Sequence, residues 1–185
     1  MKRFLCVLIL TMILTGCGEE KELERGIALR NRLLQSSGCS FDTKITADYG
    51  DKLYTFTVRC TGGNSGGMAF EIIEPESICG ITGNIDADSG KFTFDKTVLT
   101  FPLLADGLIT PAGGPWLFLH ALRSGYINGC ETQKDGMCLV VHDSYKQTPI
   151  EVNIVCDASD LPRYGEIFWD SRRIITLEIT EFVFL

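Results

Sequence analysis

Residues 39–60, CSFDTKITADYGDKLYTFTVRC, alternate apolar and polar side chains on both sides of Tyr49 and Gly50. A period of two marks a half-buried strand, and two such arms around turn residues predict an antiparallel hairpin. Folding the arms about Tyr49 and Gly50 opposes Phe41 to Val58, Thr43 to Phe56 and Ile45 to Tyr54 on one face. The other face carries Ser40, Asp42, Lys44, Thr55, Thr57 and Arg59. Because both arms agree on one register, Cys39 falls opposite Cys60, and a cross-strand disulfide between them is expected.

Ahead of the hairpin, residues 19–35, EEKELERGIALRNRLLQ, place Leu23, Ile27, Leu33 and Leu34 near one helical face. Acidic residues come first and arginines later, the order that the helix dipole favours, so a helix is predicted here. Behind the hairpin come short strands: about Met68 to Glu74, about Ser77 to Ile85, then KFTFD and TVLTF. Pro75 separates the first two, and the DSGK turn before KFTFD is expected to hold Gly90 in a left-handed conformation. After Phe101 the pattern changes to loop punctuation and then to a helix from about Pro115 to Gly125, with proline at its start and glycine past its end. Alternation resumes in YINGCE, MCLVVHDS, PIEVNIVCD, RYGEIFWD and RRIITLEITEF, the last two forming a hairpin around Asp170 and Ser171.

About eleven strands and two helices result, with the second helix inserted after the sixth strand. The fold class is α+β: a strongly curved antiparallel sheet wrapped around an N-terminal helix and an inserted lid helix. Its inner face, rich in Phe, Ile, Tyr and Trp, is either filled by its own side chains or leaves an apolar cavity.

Residues 1–16, MKRFLCVLILTMILTG, put two cations before a run of mostly apolar residues that ends in small ones. That is a secretory signal, too short for a membrane span. LTGC, residues 14–17, resembles the bacterial lipobox, whose cysteine is acylated and becomes the first residue of the mature protein. The expected organisation is a lipoprotein signal peptide over 1–16 and one domain over 17–185, lipidated at Cys17. Several acyl chains, at about 0.8 kcal/mol per buried methylene, hold such a chain durably on the extracytoplasmic face of the cell membrane. Loss of Lys2 and Arg3 with the signal takes the formal charge from −7 to about −9, which opposes binding to nucleic acid.

Six cysteines remain after Cys6 and Cys17: Cys39, Cys60, Cys79, Cys130, Cys138 and Cys156. An even number outside the cytoplasm favours disulfides, and the pairing of the last four stays open. The chain has no CxxC and only two histidines, so zinc and thioredoxin-like readings are poor. GGNSGG, residues 62–67, contains G-x-S-x-G around Ser65, but strands flank it where a hydrolase elbow needs a helix, and His120 and His142 both follow it. NIDADSGKFTFD evokes a calcium loop only loosely, with Ser89 where that loop needs glycine. His142, Asp143 and Ser144 are consecutive in a strand and point alternately to opposite faces, so they form no relay. Without an acid–base pair, phosphate loop or cofactor fingerprint, the sequence reads as a non-enzyme without metal or cofactor.

The leading helix, FDTKITADYGDKLYTFTVRC, ITGNIDADSGKFTFDKTVL, the inserted helical segment and LPRYGEIFWDSRRIITLEITEF together resemble the LolA/LolB superfamily of lipoprotein carriers. The mycobacterial LprG and LppX lipoproteins and tethered LolA-like lipoproteins of Gram-positive bacteria belong to the same resemblance. It spans nearly all of residues 17–185 and rests on pattern and element order, not on an invariant motif. It implies an eleven-stranded unclosed half-barrel whose helices lid an apolar cavity for the acyl chains of a lipid or lipoprotein. Matched by element, Phe41, Ile45, Tyr54, Phe56 and Val58 of the first hairpin face inward, followed by Phe70, Ile72, Phe92 and Phe94. The lid then comprises Leu103, Leu104, Leu108, Trp116, Leu119 and Leu122. LolA itself is soluble and shuttles, whereas a chain tethered at Cys17, as LolB and LprG are, is expected to bind or hand off its ligand locally. The alternative is a structural or protein-binding envelope lipoprotein whose core is filled.

Overall fold

The computed structural model describes residues 17–87, 89–105, 108–144 and 149–185, so the signal-peptide reading of 1–16 lies outside the described residues. Helix α1 (Cys17–Gln35) leads into β1 (Gly38–Asp48), β2 (Leu53–Gly63), β3 (Met68–Glu74), β4 (Thr82–Ile85), β5 (Ser89–Phe94) and β6 (Thr97–Pro102). A small hairpin, β7 (Leu104–Ala105) and β8 (Leu108–Ile109), precedes helix α2 (Gly114–Ser124). Strands β9 (Tyr126–Gln133), β10 (Gly136–His142), β11 (Glu151–Cys156), β12 (Pro162–Trp169) and β13 (Arg172–Phe184) complete the chain.

Eleven of these strands form one antiparallel sheet in the order β6-β5-β4-β3-β2-β1-β13-β12-β11-β10-β9. Its two ends, β6 and β9, do not pair, so the sheet is unclosed, and the first and last long strands lie side by side at its centre. The α+β layout of one antiparallel sheet with two helices expected from the alternating pattern is the architecture observed, and α2 enters between the sixth and seventh strands of that sheet. Two-residue turns at Asp95-Lys96 (φ 44° and 67°) and Asp170-Ser171 (φ 50° and 61°) join β5 to β6 and β12 to β13. Both central residues are left-handed in each, the geometry that matches the twist of the flanking strands.

The first hairpin differs from expectation by two residues. Phe41 faces Cys60, Thr43 faces Val58 and Ile45 faces Phe56. The cause is a wider turn: Asp48 Oδ1 accepts the Gly50 N–H (2.8 Å) and Tyr49 N–H donates to Lys52 O (3.0 Å), which moves the centre of the hairpin along the chain. A shift of two keeps every side chain on its face, so Phe41, Ile45, Val58 and Cys60 are still buried inward. It removes the expected opposition of Cys39 and Cys60: Cys39 lies across from Gly62, and both thiols are free. The glycine expectation in the DSGK turn is also corrected. Asp86 N–H closes that turn on Ser89 O (3.0 Å), while Gly90 is extended within β5. Its role is space: a Cβ there would stand 2.0 Å from the Phe101 ring.

The core lies between the concave face and the two helices. Phe118, Leu119 and Leu122 of α2 are almost wholly buried, and α1 adds Leu29 and Leu33. Of the expected α1 stripe only Leu33 is inside; Leu23, Ile27 and Leu34 are 40%, 43% and 52% exposed. The buried face is instead Gly26, Leu29 and Leu33, because Gly26 lets Leu139 of β10 approach to where a Cβ would meet its Cδ2 at 2.3 Å. No helix among the described residues is long and apolar enough to cross a membrane.

Half-buried Arg30 joins the helices. Its Nε donates to Leu122 O (2.7 Å) and Nη2 to Gly125 O (2.7 Å) and Ala121 O (3.4 Å), supplying donors and a positive charge to the C-terminal end of α2. Charge-assisted hydrogen bonds of this kind contribute about 1.5–3 kcal/mol. Arg30→Ala is therefore expected to lower unfolding free energy by about 2 kcal/mol in urea titration, with α2 losing amide-exchange protection before the sheet does.

Candidate functional site

Helix α2 sends buried side chains into the concave side of the sheet. Phe118 packs on Phe41 (ring centroids 6.4 Å apart, tilted 55°) and over Gly165 of β12, where an added Cβ would stand 2.8 Å from its ring. Trp116 Nε1 donates to Gly66 O (2.8 Å), which fixes the start of α2 to the loop between β2 and β3. Above β1, β13 and β12, the buried rings of Phe41 and Phe118 thus pack together inside the concavity.

On the opposite wing the same inner face runs out from under the helix. Ile72 of β3, Ile81, Phe92 and Phe94 of β5, and Thr97 and Leu99 of β6 line a groove of about 440 Å³. Alternation supplies this face: Phe92 lies opposite Leu99 and Phe94 opposite Thr97, so all four side chains share the concave side. Ile81 is held beside the floor by the backbone, with Ile72 N–H donating to Ile81 O (2.8 Å) and Gly80 N–H to Ile72 O (2.9 Å). Phe92 is set by Phe70, edge-on at 5.5 Å, and by Phe101, stacked at 4.4 Å. The floor residue Ile72 is buried, while the rim residues Phe94 and Leu99 are 59% and 64% exposed. Thr97 supplies the one hydroxyl among the lining side chains, and none carries charge. Such a surface recognises by apolar area, not by fixed polar contacts.

The residues predicted to line one cavity therefore divide in two. Phe41, Ile45, Val58, Trp116 and Leu119 belong to the packed core with α2. Ile72, Phe92 and Phe94 line the groove, with Phe70 behind them. Phe56 is half-buried against the core, and Tyr54 is exposed at the hairpin end, edge-on to Tyr49 at 6.1 Å. The Tyr49 hydroxyl donates to Ile109 O, which ties the first hairpin to the segment before α2. Of the expected lid, Leu103 and Leu122 are buried, and the side chains of Leu104 and Leu108 lie outside the described ones. The sequence reading left out Ile81, Thr97 and Leu99. The alternation of TVLTF carries the signal for the last two.

Ser65 sits in the loop between β2 and β3. His120 stacks on Trp116 (4.8 Å, 12°) with its Nε2 3.5 Å from Ser124 Oγ, and burial lowers its pKa. His142 Nε2 lies 3.3 Å from Glu151 Oε2. Burial pushes the Cys39 thiol up to about 11 and that of Cys156 to about 12, so both stay protonated and unreactive at neutral pH. Among the described residues no group of three or more His, Cys, Asp or Glu is arranged to hold a metal ion.

No protein-family model matches the chain, and no curated protein matches it in sequence. Among solved structures it is similar to an uncharacterized conserved protein from Thermus thermophilus, at 11% identity over 86% of each chain with a TM-score of 0.47. It is also similar to a LolA superfamily protein from Nitrosomonas europaea, at 9% identity over 86% of this chain and 93% of that one, TM-score 0.46. The lipoprotein LppX from Mycobacterium tuberculosis matches at 11% identity over 88% and 93%, TM-score 0.37. The described residues form an unclosed eleven-stranded antiparallel sheet with two helices.

Proposed function

We propose that the chain is a lipoprotein tethered through Cys17 to the extracytoplasmic face of a bacterial cell membrane, where it binds an acyl chain of a lipid or lipoprotein in the β3–β6 groove. The observation that carries this reading is the groove of Ile72, Ile81, Phe92, Phe94 and Leu99, apolar and left uncovered by α2. An acyl chain losing about 300 Å² of surface to it gains on the order of 7 kcal/mol before ordering costs, without any specially placed polar group. Binding and release involve no covalent step, so the protein acts as a local carrier or hand-off module and not as an enzyme.

Native mass spectrometry of the protein from a lipid-containing host tests this. Co-purified acyl species, displaced by a fluorescent fatty acid that then reports on the groove, are expected. Absence of bound species and of probe binding across several lipid classes overturns the reading. In that case the filled half under α2 favours the alternative, an envelope lipoprotein that binds protein partners through its surface.

A further inference from the structure

On the inner side of the β3–β6 wing, two glycines make room for two rings. Phe70 of β3 lies opposite Gly83 of β4, and Phe101 of β6 opposite Gly90 of β5; a Cβ added at either glycine would collide with the ring across from it. Each ring therefore lies down over the neighbouring strand, in space that a side chain would otherwise take. Phe92 of β5, opposite Gly83 on one side and Leu99 on the other, stands between them. It meets Phe70 edge-on at 5.5 Å and Phe101 in a stack at 4.4 Å, so three rings run in contact from β3 to β6.

This row closes the groove at one end. Met68 and Ile85, buried in the core, lie behind it, while Ile72, Phe94 and Thr97 line the groove in front of it. The other end is the turn between β5 and β6, whose Asp95 and Lys96 are exposed beside Phe94 and Thr97. A molecule seated here sets hydrocarbon against the rings and keeps its polar group in water at the turn. Volume decides how much hydrocarbon: at the ~30 Å³ that a water-sized group takes in a liquid, 440 Å³ admits at most roughly 15 methylenes, the content of one acyl chain. The second chain of a two-chain lipid would stand uncovered in water, which holds such a lipid in its bilayer.

We propose that the groove selects single-chain amphiphiles, a free fatty acid or a lysophospholipid, and that Phe70, Phe92 and Phe101 form the end wall that sets the acceptable chain length. This rests on the acyl-chain reading of the groove and narrows it to one class of ligand. Phe101, which does not itself line the groove, becomes a specificity-determining residue through its stack on Phe92.

Native mass spectrometry of the full chain incubated with equimolar palmitic acid, palmitoyl lysophosphatidylcholine and dipalmitoyl phosphatidylcholine tests the class. A single-chain adduct is expected, at least ~10-fold more abundant than the two-chain adduct, and its mass tells the fatty acid from the lysolipid. In titrations with saturated fatty acids of about 12 to about 24 carbons, affinity is expected to rise to about 16 carbons and no further. Phe101→Ala opens the wall and is expected to move that limit up by about three carbons, a ring's worth of space at ~30 Å³ each. Should the alanine variant fail to fold, Phe101→Leu is expected to show the same shift at smaller size. Equal binding of the two-chain lipid, or affinity still climbing at the longest chains, overturns the proposal and leaves the acyl-chain reading standing. Affinity lowered alike at every length in a folded Phe101 variant, with the limit unmoved, overturns the wall. Binding of none of these probes removes both.

Discussion

Phe118→Ala is expected to lower the unfolding free energy by about 3–5 kcal/mol, more than any other single truncation in α2. The ring is fully buried and sits where α2 meets the sheet. It touches Phe41, which stacks on Phe182 at 5.6 Å, so one ring links α2 to β1 and β13 together. Beneath it Gly165 leaves no room for any side chain. Collapse into the vacated space is therefore limited by backbone on one side and by a stacked aromatic pair on the other. Both the transfer cost of the lost ring and the cost of the void remain.

The size of that loss separates a plugged bowl from a hollow one. If the concavity were open around α2, Phe118 would already lack neighbours on one side, and truncation would cost less than about 1.5 kcal/mol. Urea titration of the wild type and variant, with the slope checked for two-state behaviour, gives the number directly. Gly165→Leu is the converse experiment: overpacking against the Phe118 ring is expected to destabilise as well, by about 1–3 kcal/mol, and only if the site is full.

The strands were legible because alternation is a local signal and each arm carries enough residues to state its phase. Face assignment survived the two-residue register error in the first hairpin for the same reason: a slip of two preserves parity. The slip itself was not legible, because turn width was set by the Asp48 side chain holding the Gly50 N–H, and no hydrophobic pattern records that bond. Helix α1 misled in another way. Gly26 contributes nothing to an apolar stripe, yet its lack of a side chain decides which face meets Leu139. The division of the inner face into core and groove was beyond the local pattern altogether. Phe118 and Phe94 are the same residue type in equally apolar surroundings, and one is fully buried and the other 59% exposed because α2 docks over one wing of the sheet only. Where a helix docks depends on contacts far apart in sequence, such as Trp116 with Gly66 and Arg30 with the end of α2.

Ile81→Glu is expected to weaken the proposed acyl-chain binding at pH 7 by at least ~100-fold, about 2.7 kcal/mol, while leaving the unliganded protein nearly as stable. Ile81 lies part-buried on the groove wall beside Ile72, and the groove opens to water, so an ionised carboxylate there stays hydrated until a chain enters. Entry strips that water and sets the charge against Ile72, Phe92 and Leu99, which disfavours the ionised form. The occupied state therefore has the higher carboxyl pKa and binds more protons than the empty one. Affinity must then rise as pH falls through that raised pKa, toward the ordinary glutamate range near about 4.3, and no such slope is expected for the wild type or for Ile81→Ala. Ile81→Ala removes only a few methylenes and is expected to cost less than ~10-fold. Fluorescent fatty-acid titration of the three proteins across pH reads both effects. If the hydrocarbon instead enters beneath α2, Ile81→Glu leaves affinity and its pH dependence unchanged, and truncation of Leu119 or Trp116 carries the loss.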